Sequence, residues 1–282
     1  MWHNLAQLPR YRGLIQSLVA RELKARYRGS VLGLFWSFGN PLLLLLIYTV
    51  VFTAFIPNHT PGIQPFALFL FTGLLPWTWF STSLIESANV LVAGGNLIKK
   101  VLFPAEVLPI VSVLANMVHF LLGLPVLAAF IVYYMSAGVP PPAEGVPATT
   151  GVSLHFGELV WLPVVIFVQL ILTTGLALLL SALTVHFRDI RDILSNLITL
   201  WFFATPIIYP LANLENQKVL KVMLDLNPFT HLAVSYQEIL FFPENAFGHL
   251  KWLLALGGAS ILIFLAGYWL FDRLRDSFAE AV

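Results

Sequence analysis

Long apolar runs, separated by short charged or proline-rich stretches, organise this chain of 282 residues. They fall at roughly 32–56, 66–92, 107–135, 160–185, 193–209 and 250–271. About twenty apolar residues carry a helix across a bilayer. The pattern therefore predicts an all-α, polytopic membrane protein with six transmembrane helices. The fifth run is short, about 17 residues against the ~20 needed, and predicts a broken or re-entrant element near its outer end.

Two segments outside the runs carry a helical period. Near the start, Tyr11, Leu14, Ile15, Leu18, Val19 and Leu23 share one face, while Arg12, Gln16, Arg21, Lys24 and Arg28 lie mostly off it. That pattern describes an amphipathic helix in the membrane interface, its basic groups near anionic headgroups. The chain thus divides into an interfacial helix at 1–30 and a six-span domain at 31–282. Between the last two runs, Phe229, Leu232, Ala233, Tyr236, Ile239 and Leu240 recur at helical spacing. They form either a half-buried helix at the outer face or a surface helix that only closes the fold. The stretch 136–159, rich in proline and glycine, is an irregular connection.

Charge fixes the direction. Lysine and arginine are retained on the cytoplasmic side of a membrane. With the N-terminus inside, all 15 fall inside except Lys218, Lys221 and Lys251. Both termini are then cytoplasmic, and no apolar stretch of the secretory type precedes the first span. The chain is 59% hydrophobic and 10% charged, against about 25% charged in ordinary soluble domains. A net charge of +1 gives no reason to invoke nucleic acid, and without cysteine there are neither disulfides nor thiolate metal sites.

Catalytic chemistry is poorly represented. The seven histidines are scattered, with no i, i+4 pair for a helical zinc site. No lysine follows a glycine, so the chain holds no P-loop, and if it is energised by ATP a separate subunit must supply the nucleotide site. Glu86 falls near the inner boundary of the second run, where pairing with a basic residue is favoured over a pathway role. Asn116 and His119, one turn apart in the third run, suit a hydrogen-bonded helix contact. One carboxylate and no lysine within the runs argue against a proton-coupled carrier, and no repeat or carboxylate cluster favours a secondary transporter or a lipid-sugar enzyme. Aromatic residues stand out instead: Phe35, Trp36, Phe38 and Tyr48 in the first run, Trp77, Trp79 and Phe80 in the second, Trp201 in the fifth. They serve as sugar platforms along a path or as packing and interfacial anchors.

Five motifs in order resemble one family. RELKARYRGSVLGLFWSFGNP, with Trp36, Ser37, Asn40 and Pro41, is similar to the segment where a basic helix turns into a first span. NLIKKVLFPAEVLP follows the second run, HFRDIRDI precedes the fifth, and ATPIIYP and Asn227-Pro228-Phe229 flank its outer end. Together they resemble the transmembrane permease subunits of bacterial ABC-type polysaccharide exporters, the O-antigen and lipopolysaccharide export branch.

The resemblance implies a homodimeric channel in the bacterial cytoplasmic (inner) membrane, paired with a cytoplasmic ATP-binding subunit that alone holds ATP and magnesium. No cofactor falls to this chain, which would be a transport permease and not an enzyme. The cargo would be a polysaccharide on a polyprenyl pyrophosphate, moved to the periplasm; teichoic acid, capsular glycan or a small hydrophobic compound are the alternatives. Leu97, Ile98, Lys99, Lys100, Val101, Phe103 and Pro104 would be gripped by the ATPase. Arg26, Arg28, Arg188 and Arg191 would meet the pyrophosphate, or simply mark the inside face, with pairing of Arg188 and Arg191 to Asp189 and Asp192 a further option. Pro206, Tyr209, Pro210, Asn227, Pro228 and Tyr236, beside Gln237, would form an exit gate of short re-entrant helices.

Overall fold

The computed structural model describes residues 8–55, 63–95, 104–138, 157–211, 218–242 and 247–281. Every regular element among them is helical. α1 is Arg12–Arg26, and α2 is Trp36–Val50, continued by a π-helical turn to Phe55. α3 is Phe66–Ala93, α4 Val107–Ala137, α5 Leu162–His186 and α6 Ile190–Phe203. α7 is Lys218–Leu226, α8 Pro228–Leu240 and α9 Leu250–Ala281.

Five of these segments are long and apolar enough to cross a membrane: Trp36–Phe55, Phe66–Ala93, Val107–Ala137, Glu158–His186 and Leu250–Phe278. This is a multi-pass membrane protein. The run at 193–209 does not become a sixth long helix. α6 has 14 residues, about 21 Å at 1.5 Å each, and the chain then leaves helical geometry for 204–210.

Position in the bundle, not hydropathy, separates the long helices. α3 is central, with 78% of its most apolar window buried, whereas the figure for α2 is 6%. Leu45 and Ser37 are the buried side chains of α2. Its turn from α1 runs through Gly29 and Gly33, both at positive φ (82° and 49°) where a side chain is disfavoured. α1 lays the predicted apolar face, with Leu18 at its centre, on Val107 and Val111 of α4. The stripe is therefore spent at least partly on protein.

The tightest crossing joins α5 to α9. A Cβ on Gly175 would stand 2.6 Å from Phe264 Cα, and one on Gly267 would strike the Gly175 carbonyl. Only glycine lets these backbones approach so closely, as is common between helices in lipid. At Pro76 of α3, Gln169 of α5 donates its Nε2–H to the carbonyl at 2.8 Å. A polar side chain thus bonds α5 to α3 inside the apolar core through its Nε2, while its Oε1 is buried with no partner among the described residues.

Candidate functional site

At the end of the bundle that carries most of the basic residues, α1, α3 and α4 meet in one polar cluster. Arg26 donates from Nη2 to Glu86 Oε2 at 2.6 Å and from Nη1 to Asn116 Oδ1 at 2.9 Å. Asn116 Nδ2 donates to the same Glu86 oxygen at 2.6 Å and to the Ser112 carbonyl at 2.9 Å. Glu22, one turn back on α1, stands 3.7 Å from Arg26 Nε. The partner expected for Glu86 is thus Arg26, and the guanidinium is occupied by carboxylates. Beside it, the Tyr27 hydroxyl accepts from Ser37 Oγ at 3.1 Å and lies 3.5 Å from His119 Nδ1. Asn116 and His119 therefore do make helix contacts, but through different partners.

A cavity of about 470 Å³ opens above this cluster, between α1, α2, α3 and α4. Its polar end holds Arg26, Tyr27, Ser37, Asn40 and His119, and its body is apolar.

The other predicted arginines are placed differently. Arg28, Arg188 and Arg191 are exposed, and no ion pair ties Arg188 or Arg191 to Asp189 or Asp192 among the described residues. Leu97, Ile98, Lys99, Lys100, Val101 and Phe103 lie outside the described residues. Pro104 is buried and its carbonyl accepts from Val107 N at 3.0 Å. Immediately after it, buried Glu106 faces Arg275 Nη1 of α9 at 3.7 Å, a pairing that sequence spacing does not reveal. Nearby, His186 Nε2 and Ser277 Oγ are 3.0 Å apart, joining the ends of α5 and α9.

The aromatic residues separate into two groups. Phe35 and Phe38 are exposed, and Trp36, Tyr48 and Trp201 are half-buried. Trp77, Trp79 and Phe80 are interior, at 5%, 2% and 0% exposure. Trp77 packs edge-on to Phe229 with centroids 4.8 Å apart, and Phe80 meets Trp201 at 5.2 Å. Trp79 stacks on Phe120 and donates Nε1–H to the Val113 carbonyl at 3.1 Å. These three pack against neighbouring helices of the same subunit, the packing alternative of the sequence reading, while Trp79 also reaches the wall of the cavity.

At the opposite end, Asn227 organises the predicted gate. Its Oδ1 accepts from Trp201 Nε1 at 2.7 Å and from Phe229 N at 3.0 Å, capping α8 behind Pro228. Its Nδ2 donates to the Ala204 carbonyl and to Thr205 Oγ1. Gln237 Nε2 holds the Pro206 carbonyl at 2.8 Å, and the Tyr209 hydroxyl donates to the Phe203 carbonyl at 3.1 Å. Pro210 is buried. Tyr236 is buried too, and faces Phe120 in the core. The irregular stretch after α6 is thereby bonded to α8, which is buried on all sides from Phe229 to Gln237.

Sequence reasoning passed over a histidine pair at this end. His231 Nε2 donates to the Asp225 carbonyl at 2.9 Å, leaving Nδ1 to accept from His249 Nε2 at 3.0 Å. Trp252 stacks on His231, ring centroids 4.9 Å apart. Burial, then the neighbouring His231, push His249 down to about 4, with Asp225 pulling the other way. Eighteen residues separate the two rings, a distance at which spacing carries no signal.

A helical bundle with five membrane-length segments, a glycine-tight crossing and a basic end built around Arg26 is the body of a multi-pass membrane protein. The chain belongs to the ABC-2 type transporter family, which it matches over residues 13–241. It is 41% identical over 276 residues to the O-antigen export system permease protein RfbA of Myxococcus xanthus, across 98% of each chain. A protein of the same name from Klebsiella pneumoniae is 31% identical over 274 residues, across 95% of this chain and 94% of its own.

Proposed function

We propose that this chain is the permease half of an ATP-driven exporter that moves a lipid-linked, O-antigen-type polysaccharide from cytoplasm to periplasm. The observation that carries the reading is the 41% identity to an O-antigen export permease across 98% of both chains. Two copies form the channel, and a separate ATP-binding subunit supplies the nucleotide and magnesium. The inner membrane is crossed six times, α6 and the stretch 204–210 together making the fifth crossing, with both termini cytoplasmic.

In this arrangement residues 97–104 are gripped by the ATPase, and the Glu106–Arg275 contact carries that displacement into α9. The exposed Arg28, Arg188 and Arg191 meet the pyrophosphate, a task suited to guanidinium forks. Arg26, matched by Glu86, holds α1 in place instead. Exposed Phe35 and Phe38, and the half-buried Trp36, Tyr48 and Trp201, are the aromatic residues available to a path between two copies. The short helices around Pro206, Asn227 and Pro228 close its outer end.

The test is purification of the tagged chain in mild detergent, with proteomics and glycolipid mass spectrometry. A P-loop ATPase in about equal amount, with a polyprenyl-pyrophosphate glycan, is the expected result. An ATPase accompanied by a compact hydrophobic compound would replace the cargo, and absence of any ATPase would overturn the reading.

A further inference from the structure

The cavity between α1, α2, α3 and α4 has two unlike ends. Its body is lined by Leu44, Leu75, Phe71 and Phe120, and it opens where Leu43, Ile47 and Thr78 are exposed. Its polar end lies at the Arg26 cluster, where α1 meets the bundle. The slot exists because α2 is so lightly packed. In a bilayer such a slot does not stay empty of hydrocarbon, so the polar end decides what fills it.

That end offers hydrogen-bonding groups and no unmatched positive charge. His119 Nδ1 faces the Tyr27 hydroxyl at 3.5 Å, and His119 Nε2 is buried with no partner. Trp36 Nε1 and the Asn40 amide, also on the lining, have no partner among the described residues. A buried polar group left unmade is costly, so His119 Nε2, with the half-buried Trp36 and the exposed Asn40 beside it, calls for an acceptor-rich ligand. Arg26 is the cation on the lining, and it is already offset by Glu86 at 2.6 Å and Glu22 at 3.7 Å. An anionic headgroup or a pyrophosphate would set unmatched negative charge beside Glu86.

We infer that this cavity binds one zwitterionic phospholipid, its phosphate and ester oxygens at Trp36, Asn40 and His119 and an acyl chain between α2 and α3. The ammonium of the headgroup offsets the phosphate charge, so the lipid adds no net negative charge beside Glu86. The lipid completes the seat of α2 on the bundle. It is a structural ligand and does not depend on which cargo is carried.

The experiment is native mass spectrometry of the purified full-length chain in micelles containing equal phosphatidylethanolamine and phosphatidylglycerol, with and without polyprenyl pyrophosphate. Phosphatidylethanolamine should be retained about tenfold over phosphatidylglycerol, a difference well within one good polar site. Thr78→Trp, which fills the slot from an exposed wall position, and His119→Phe should each lower retention about tenfold. Leu262→Trp, on the exposed face of α9, should leave it unchanged. Equal retention of the two lipids, displacement by polyprenyl pyrophosphate, or full retention by Thr78→Trp would each overturn the assignment. So would a lipid-free dimer in which a second copy covers the slot. Loss of export or of a partner ATPase bears on the proposed function alone, since retention is read on the isolated chain.

Discussion

Arg26 of α1 donates to Glu86 of α3 at 2.6 Å, and Asn116 of α4 donates to the same carboxylate oxygen at 2.6 Å. One oxygen therefore ties three helices together at the basic end. Removing one partner strands the other in a partly buried place, which is worse than removing both. Arg26→Ala and Glu86→Ala should each lower the thermal midpoint in detergent, and the double variant should lose less than their sum. A coupling of about 0.5–3 kcal/mol is the expected range for contacting residues. Strict additivity would show that the pair contributes nothing as a pair.

Gly175 and Gly267 predict a steric failure. A methyl group at residue 175 would meet the α9 backbone at 2.6 Å, and backbone cannot give way as a side-chain tip can. Gly175→Ala should cost about 1–3 kcal/mol through overpacking, read as a lower midpoint and less monodisperse protein. Gly258→Ala on α9, where a Cβ meets nothing within 4 Å, is the control and should be neutral.

Asn227→Ala removes the cap of α8 and leaves Trp201 Nε1 without its acceptor. Loss of such a cap costs about 1 kcal/mol, and the abandoned indole N–H adds to it. Hydrogen exchange should quicken at 201–207 and at the first turn of α8, with little change in α3. Uniform protection across these segments would mean that Asn227 does not hold the stretch together.

The His231–His249 contact makes stability depend on pH. His249 sits at about 4 when folded and 6.5 when free, so the unfolded chain binds the extra proton between those values. Stability from this group is full above about 6.5 and is lost as pH falls toward 4. Glu238 opposes this slope: burial raises its carboxyl although Gly248 and His249 N–H groups donate to it. It therefore holds its proton better folded than unfolded, and its own contribution declines as pH rises above 4.5. Thermal midpoints should fall from pH 7 to pH 5, and His249→Gln should flatten that fall. An unchanged slope in the variant would assign it elsewhere.

Phe103→Ala and Lys100→Glu test the proposed grip of the ATPase. Export per ATP hydrolysed should drop while both variants insert and fold, because the change lies in a contact with the partner. Glu106→Gln should do the same more weakly through the loss of Arg275. Full export by Phe103→Ala and Lys100→Glu would remove the grip from this segment.

Hydropathy alone located the long crossings, since span length and apolar content are local properties that a bilayer selects directly. The period of Tyr11 to Leu23 likewise located α1 and its buried face. The pairing of Glu86 with some basic residue was legible because a carboxylate at that depth needs a partner. Which arginine answers was not, as Arg26 is sixty residues away in the chain. The aromatic residues show the limit most plainly. Trp77 and Phe35 are equivalent in a hydropathy pattern, yet Trp77 is enclosed by Phe80, Trp201, Phe202 and Phe229 while Phe35 is exposed.

The sequence by itself determined a helical, multi-pass membrane protein, the direction its charges favour and the lack of a P-loop. Each of these follows from residue type and local order. Only the tertiary structure decided that α3 is central and α2 peripheral, that Arg26 is occupied by Glu86, and that Asn227 binds the irregular stretch after α6. Those outcomes depend on which apolar helix faces protein and which faces lipid. In a membrane both surroundings are equally greasy, so hydrophobicity does not distinguish them, and small-residue crossings and buried polar contacts do.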